Sequence, residues 1–124
     1  MPTAVVEASA SLVEAGAEAG RLVLDVADPP TAVLAQSDLI AAGVLLAAKE
    51  LGLRVPQDVS VAGFDGLDLP WLAPDVLTSV AQPLAAKGAA MADAVIEILA
   101  GGAPENVSLG VELRVGTTTR PPRA

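Results

Sequence analysis

The 124-residue sequence contains no cysteine and no histidine, and its aromatic residues are one phenylalanine, Phe64, and one tryptophan, Trp71. Without cysteine, neither a disulfide nor a thiolate site can form, which fits a reducing compartment. Without histidine as well, zinc sites and imidazole-based catalysts are excluded. Because large rings are so rare, the core has to be built from alanine, valine and leucine.

Basic charge and long apolar runs are also scarce. Seven basic residues face 15 acidic ones, giving a net charge of −8 without a basic patch. Nucleic-acid affinity depends on lysine and arginine, so direct DNA binding by this segment is not expected. The longest apolar run, residues 39–48, is far shorter than the roughly 20 residues that span a bilayer, and no membrane segment is predicted. The first residues lack the features of a secretory signal, and we expect a cytoplasmic protein.

The length fits one domain with one core, in which predicted strands and helices alternate. Residues 4–6 are a weak candidate for a first strand, and Ser11-Leu12-Val13-Glu14 matches a capping box that would start a helix. Residues 31–35 form an apolar run without alternation, typical of a parallel strand covered on both faces. A helix over residues 39–51 follows, with Ser37 or Asp38 as its cap.

The second half continues the alternation. We predict strands at residues 59–64 and 77–81, an irregular loop over residues 66–76, a helix over residues 84–99, an alternating strand within residues 107–115 and a tail over residues 117–124. The loop carries Trp71, which could stack on a ligand but is more typical of a plug over the core or an interface. The fold class is therefore α/β, with a parallel sheet flanked by helices.

Polar side chains follow the predicted parallel strands where each strand ends: Gln36, Ser37, Asp65 and Gln82. Ligands of open α/β sheets bind outside the carboxyl ends of the strands, so these four residues are the candidate binding site. A carboxylate and amides without a catalytic base suit reversible binding of a polyol or an amide-bearing ligand. Turn formation at Asp65 and helix capping at Ser37 are the alternatives, and capping is the favoured role of Asp38.

Catalysis has little support. No catalytic residue is predicted, because a nucleophile–base pair cannot be assembled, although hydrolysis by Asp65 with a second carboxylate stays formally open. No metal site is predicted, and no cofactor is expected, since neither standard glycine-rich phosphate loop occurs.

Three segments resemble the effector-binding region of the lactose-repressor (LacI) family of bacterial transcription regulators, in the right order and over nearly the whole chain. They are Pro30-Thr31-Ala32-Val33-Leu34-Ala35-Gln36-Ser37-Asp38, the run from Glu50 through Val55-Pro56-Gln57-Asp58-Val59-Ser60-Val61-Ala62-Gly63-Phe64-Asp65, and Pro74-Asp75-Val76-Leu77-Thr78-Ser79-Val80-Ala81-Gln82-Pro83. The resemblance implies a periplasmic-binding-protein-like fold, in which two Rossmann-like lobes enclose a small ligand.

The resemblance also implies roles for individual residues. Asp65 occupies the family's ligand-hydroxyl position, Ser37 a position where the family often has a ligand-contacting Asn, and Gln82 a hinge-strand position near the ligand. Leu84 stands where some members have an aromatic ring, so it departs from the family pattern, as Ser37 does. The helix from Asp38 and the loop around residues 71–73 would contribute to a homodimer interface.

The resemblance further implies that the chain is a fragment, with the DNA-binding head and most of the first lobe preceding Met1. Residues 1–82 would form the C-terminal lobe, and residues 83–124 the helix and strand that complete the absent N-terminal lobe, plus the tail. The expected function is the sugar-sensing and dimerising part of a repressor, which is not an enzyme and contacts DNA only through the missing head. The alternative is a solute-binding protein of a sugar transporter, which shares the fold.

Overall fold

The computed structural model describes residues 3–122. Helices and strands alternate along most of this range, as the apolar pattern predicts. The helices are α1 (Val13–Leu24), α2 (Asp38–Glu50) and α3 (Leu84–Leu99), with a 3₁₀ turn at Pro70–Leu72. The strands are β1 (Ala32–Leu34), β2 (Ser60–Asp65), β3 (Thr78–Ala81) and β4 (Glu112–Arg114).

Within the described range the strands form one sheet in the order β1-β2-β3-β4. The first three are parallel, with Leu34 opposite Ala62 and Asp65 opposite Ala81. β4 is antiparallel to β3 and adds an edge strand. Parallel strands connected through helices are typical of α/β proteins, so the predicted fold class is confirmed.

The core lies between one face of the sheet and α2, and α1 packs on α2 from outside. Val61 from β2 and Val59 just before it meet Val44 from α2 and Leu24 from α1. Alanine fills every other buried hydrophobic position of the described residues, as expected of a chain with two aromatic residues. The side chains are small, and α1 and α2 therefore approach closely.

Two glycines show how close this approach is. A Cβ at Gly43 of α2 would collide with the backbone of Val13 and Gly16, and a Cβ at Gly16 of α1 would collide with the backbone of Ile40. Glycine is therefore required at both positions by backbone contact between the helices. This contact holds α1 directly against α2.

The other face of the sheet is not covered by the residues that the structure describes. Leu34 in β1 is 79% exposed, and Ala32 is exposed as well. The prediction that residues 31–35 form a strand covered on both faces is therefore wrong. β1 is an edge strand, and only its α2 side, where Val33 lies, packs on the core.

The last helix, α3, stands apart from this core. It has the predicted bounds but buries none of its residues, and β4 is exposed along its length. The predicted strand within residues 107–115 shortens to Glu112–Arg114, which pairs with β3. The assignment of residues 83–124 to a second lobe stays a prediction.

Two predictions near the start of the chain are wrong. Residues 4–6 form no strand, and Val5 is almost fully exposed. The capping box is absent, because Leu12 occupies the N-cap position of α1 without a side-chain cap. The Ser11 hydroxyl instead donates to Ser37 Oγ at 2.8 Å.

The predicted tail is in part a structural element. Thr118 is 1% exposed, and its Oγ1 donates to the Val61 carbonyl at 2.7 Å and accepts from the Thr78 amide at 2.9 Å. The Val61 amide in turn donates to the Thr118 carbonyl at 2.8 Å. Thr118 is therefore hydrogen-bonded to the amino ends of both β2 and β3. Residues 123 and 124 of the predicted tail lie outside the described range.

Trp71 lies in the 3₁₀ turn and is 62% exposed, so it does not plug the core. The interface interpretation of this side chain stays a prediction. Among residues 3–122, none of the helices is long and apolar enough to cross a membrane.

Candidate ligand-binding site

The carboxyl ends of β1, β2 and β3 lie at one edge of the sheet, because these strands are parallel neighbours. Asp65 is the last residue of β2, and Gln82 follows β3 directly. Gln36 and Ser37 follow β1 before α2 begins. The topology therefore brings the ends of three strands with their polar residues to a common edge, as the sequence predicts.

Asp65 and Gln82 are in direct contact. The Gln82 side-chain amide donates to Asp65 Oδ1 at 2.7 Å, and the Gln82 backbone amide donates to the Asp65 carbonyl at 3.2 Å. Lys87 Nζ donates to Gln82 Oε1 at 3.0 Å, which fixes the orientation of the amide. Both Asp65 and Gln82 are half-buried, and Gln82 bonds Oδ1 of the two carboxylate oxygens of Asp65.

The backbone at Asp65 has an uncommon conformation. Asp65 has a φ of 129°, in a region that residues with a Cβ rarely adopt, and Gly66 follows with a φ of 75°. A Cβ on Gly66 would contact Ala81, so the turn passes close to β3. Strained backbone of this kind clusters at functional sites, where the surrounding structure holds it in place.

Ser37 and Gln36 are arranged differently. Ser37 is 8% exposed, and its Oγ accepts from the Ile40 amide at 3.2 Å and from Ser11 Oγ at 2.8 Å. It is therefore the N-cap of α2, one of the two predicted roles. Gln36 is exposed. No hydrogen bond between described residues links Ser37 or Gln36 to the Asp65–Gln82 pair, and their contact with ligand stays a prediction.

Sequence reasoning misjudged Asp38. Helix capping is its favoured role in the sequence, but Ser37 caps α2 and Asp38 is fully buried. Asp38 Oδ1 accepts from Ser79 Oγ at 2.6 Å, and Oδ2 accepts from the Leu67 amide at 2.7 Å. A carboxylate at the start of a helix usually indicates a cap. No local signal reveals these partners, because they come from residues about 30 and 40 positions later.

A shallow cavity of about 300 Å³ lies beside Gln82, lined also by Pro83, Glu112 and Arg114. Arg114 reaches toward the Gly66 carbonyl at 3.5 Å and lies 3.9 Å from Glu112. Carboxylate, amide and guanidinium groups thus surround one open depression, and such groups hydrogen-bond hydroxyls. Over the described residues, no three acidic side chains come close enough to hold a metal ion.

Comparison with known proteins agrees with the α/β fold. Residues 2–119 match the family described as periplasmic binding protein-like domain. The chain belongs to this family. Periplasmic binding protein-like domains include the effector-binding regions that the three sequence segments resemble, and the relatives and structures below confirm the resemblance to LacI-family regulators.

Two curated relatives of this family member are repressors. The chain is 49% identical over 70 residues to the HTH-type transcriptional repressor CytR of Escherichia coli K12, covering 56% of the chain and 20% of CytR. It is 35% identical over 102 residues to the HTH-type transcriptional repressor PurR of Salmonella typhi, covering 82% of the chain and 30% of PurR. The chain therefore matches less than a third of the length of either repressor.

A solved structure shows the same fold. The LacI family transcriptional regulator from Arthrobacter sp. FB24, in complex with lactose, superimposes with a TM-score of 0.73 and 32% identity. The match covers 88% of this chain and 42% of the regulator. This periplasmic binding protein-like domain thus corresponds to less than half of that regulator's chain.

Proposed function

We propose that the chain is part of the effector-binding region of a bacterial transcriptional repressor, that its ligand is a sugar, and that it dimerises. The main observation in support is the hydrogen-bonded pair Asp65 and Gln82, which lies at the carboxyl ends of two neighbouring parallel strands. The repressor relatives support regulation as the function, and the lactose complex of the Arthrobacter regulator supports a sugar as the ligand class.

The chemistry of the pair supports a hydroxyl-bearing ligand. Asp65 has two carboxylate oxygens, and Gln82 Nε2 occupies only one of them. The other can accept from a sugar hydroxyl, and hydrogen bonds to a charged acceptor are roughly twice as strong as neutral ones. Arg114 and Glu112, at the rim of the neighbouring cavity, add further donors and acceptors. This arrangement orients a ligand but offers no general base beside a nucleophile, so we propose binding without catalysis.

The site is open on one side, which supports a second lobe as its cover. Sugar and cofactor sites usually bury most of the ligand surface, and the Asp65–Gln82 edge forms one wall. α3 leaves this edge two residues after β3 and exposes apolar side chains along its length, including Leu84, Met91 and Val95. We propose that a preceding segment of the complete regulator supplies the opposite lobe and packs against α3.

The exposed 3₁₀ turn supports dimerisation. Trp71 is mostly exposed, and Leu67 and Val76 in the same loop are exposed too. Exposed tryptophan and aliphatic side chains in one loop are typical of protein interfaces. Sedimentation equilibrium of the complete regulator tests this proposal: Trp71→Ser should weaken the dimer at least about tenfold, the scale of an interface hot spot. Trp71→Phe is the control, and a dimer unaffected by Trp71→Ser would contradict the proposal.

Calorimetry tests the ligand site. The complete regulator is titrated with lactose, other mono- and disaccharides, and nucleosides. We expect one sugar to bind, and Asp65→Asn to weaken its binding about 10- to 100-fold, because a hydrogen bond to a charged group is lost. The 124-residue chain alone should bind the same sugar far more weakly, since one wall of the site is absent.

The control is Asp68→Asn, an exposed carboxylate three residues further along the loop. It changes the charge equally and should leave affinity unchanged. Equal weakening by both substitutions would mean that charge, and not contact at Asp65, determines binding. If a nucleoside binds tightly and no sugar binds, the proposed ligand class is wrong, whereas the proposed ligand site is not contradicted.

A further inference from the structure

Asp38 is a buried carboxylate that the ligand site does not explain. It has no exposed surface, and the ion pairs of residues 3–122 involve Arg21, Arg54 and Arg114 without Asp38. Burying a carboxylate is costly unless hydrogen bonds compensate for the lost water. Its position in the first turn of α2 is electrostatically favourable, because the amino end of a helix carries partial positive charge.

The hydrogen bonds of Asp38 lead directly to the turn after Asp65. Oδ2 accepts from the Leu67 amide at 2.7 Å, and Oδ1 accepts from the Ser79 hydroxyl at 2.6 Å. The Ser79 oxygen accepts from the Gly66 amide at 3.1 Å. We call Asp38 and Ser79 with these bonds the Asp38–Ser79 anchor. It binds the two consecutive backbone amides that follow Asp65.

Glycine at position 63 makes room for the anchor. Gly63 lies opposite Ser79 in the sheet, and a Cβ there would collide with Asp38 Oδ1. Any larger residue at position 63 would therefore displace the carboxylate from its place over β2. Three residue types from different elements thus match one geometry: Asp38, Gly63 and Ser79.

We propose that Asp38 and Ser79 are positioning residues for the ligand site. With the amides of Gly66 and Leu67 held, the backbone at Asp65 stays at its φ of 129°, and the carboxylate stays against Gln82. Without the anchor, the turn relaxes toward ordinary backbone angles and Asp65 separates from Gln82. The importance for ligand rests on the proposed function, whereas the geometry of Asp65 and Gln82 can be measured without ligand.

The test is NMR spectroscopy of the ¹⁵N-labelled 124-residue chain carrying Ser79→Ala. The Gln82 side-chain amide signals report its bond to Asp65, and hydrogen exchange reports the amides of Gly66 and Leu67. We expect the Gln82 signals to move to the positions that they have in Asp65→Ala. Exchange at Gly66 and Leu67 should accelerate about tenfold or more relative to Val44 in α2, the scale of one lost hydrogen bond.

Ser60→Ala is the matched control, because it removes a hydroxyl from β2 at the opposite end of the sheet, where Ser60 accepts from the Arg120 amide. It should leave the Gln82 signals in place. If Ser79→Ala does not fold, Ser79→Cys replaces it, since a thiol has the same connectivity as the hydroxyl, is somewhat larger and forms weaker hydrogen bonds. The same changes are then expected with smaller amplitude.

Two results would overturn the proposal. One is a folded Ser79 variant with unchanged Gln82 signals. The other is accelerated exchange that is uniform over the core, which would indicate a loss of stability without a specific effect on the turn. In the complete regulator, loss of affinity in Ser79→Ala with retained affinity in Ser60→Ala would extend the result to ligand. If the NMR changes occur but neither the 124-residue chain nor the complete regulator binds a sugar, the positioning role of Asp38 and Ser79 is supported and the proposed function fails.

Discussion

Gln82 donates a hydrogen bond of 2.7 Å to Asp65, across 17 positions of sequence and two neighbouring strands. The bond joins the last residue of β2 to the residue that follows β3, so it links the carboxyl ends of these two strands. Because Lys87 holds the other end of the Gln82 amide, the carboxylate is oriented before any ligand arrives. Such preorganisation lowers the entropic cost of binding.

The strained backbone at Asp65 predicts an unusual order of stabilities. Glycine within a strand is normally about 0.5–1 kcal/mol less favourable than alanine. At a φ of 129° alanine is strained and glycine is not, so we expect Asp65→Gly to be more stable than Asp65→Ala by about 1–2 kcal/mol. Urea unfolding of both variants measures the difference. At Ala62, in the same strand, the normal order should hold, and glycine should be the less stable residue.

The buried hydroxyl of Thr118 predicts a large effect from an isosteric change. Thr118→Val leaves the Thr78 amide without its acceptor and removes the donor to the Val61 carbonyl, so we expect a loss of about 2 kcal/mol or more in the free energy of unfolding. Thr117→Val is the control. Its hydroxyl bonds the Val76 amide at an exposed position, where water can replace it, and its effect should stay within about 0.5 kcal/mol. Equal losses of unfolding free energy in Thr117→Val and Thr118→Val would show that the buried Thr118 hydroxyl stabilises the sheet no more than the exposed Thr117 hydroxyl does.

The close contact between α1 and α2 predicts that Gly43→Ala destabilises the chain by about 1–3 kcal/mol, because the new Cβ collides with the backbone of α1. Thermal unfolding followed by circular dichroism measures the loss. Gly88→Ala is the matched helical substitution, since a Cβ there meets open space in α3. It should preserve the melting temperature or raise helix content. A stable Gly43→Ala variant would mean that the helices lie further apart than described.

The exposed apolar face of α3 predicts that the 124-residue chain binds a hydrophobic dye and that a complete regulator binds much less. Leu84, Met91 and Val95 are all more than half exposed. Replacing Met91 and Val95 with glutamate should lower dye fluorescence in the chain while circular dichroism stays unchanged. The same double change should destabilise the complete regulator, because the proposed second lobe would cover α3 there. Equal dye binding by chain and regulator would contradict the proposed second lobe.

The helices and parallel strands were predictable because their signals are local. The bounds of α3 and the cap of α2 at Ser37 follow from apolar spacing and from side chains within one turn. The edge that collects Asp65 and Gln82 follows from strand order alone, once the strands are taken as parallel. The errors at Ser11, Asp38 and Thr118 share a cause. The local sequence predicts a helix cap at Ser11 and Asp38 and a tail at Thr118. Each side chain instead takes a hydrogen-bond partner from a residue at least 26 positions away.

The sequence by itself determined the order of elements, the absence of metal and thiol chemistry based on histidine and cysteine, and the four polar residues at the strand ends. Only the tertiary structure decided which of them meet. It pairs Asp65 with Gln82, engages Ser37 at the start of α2 and buries Asp38 beneath the turn. The physical reason is that periodicity and capping act within a few residues. The placement of a buried carboxylate depends instead on donors that only the folded sheet brings together.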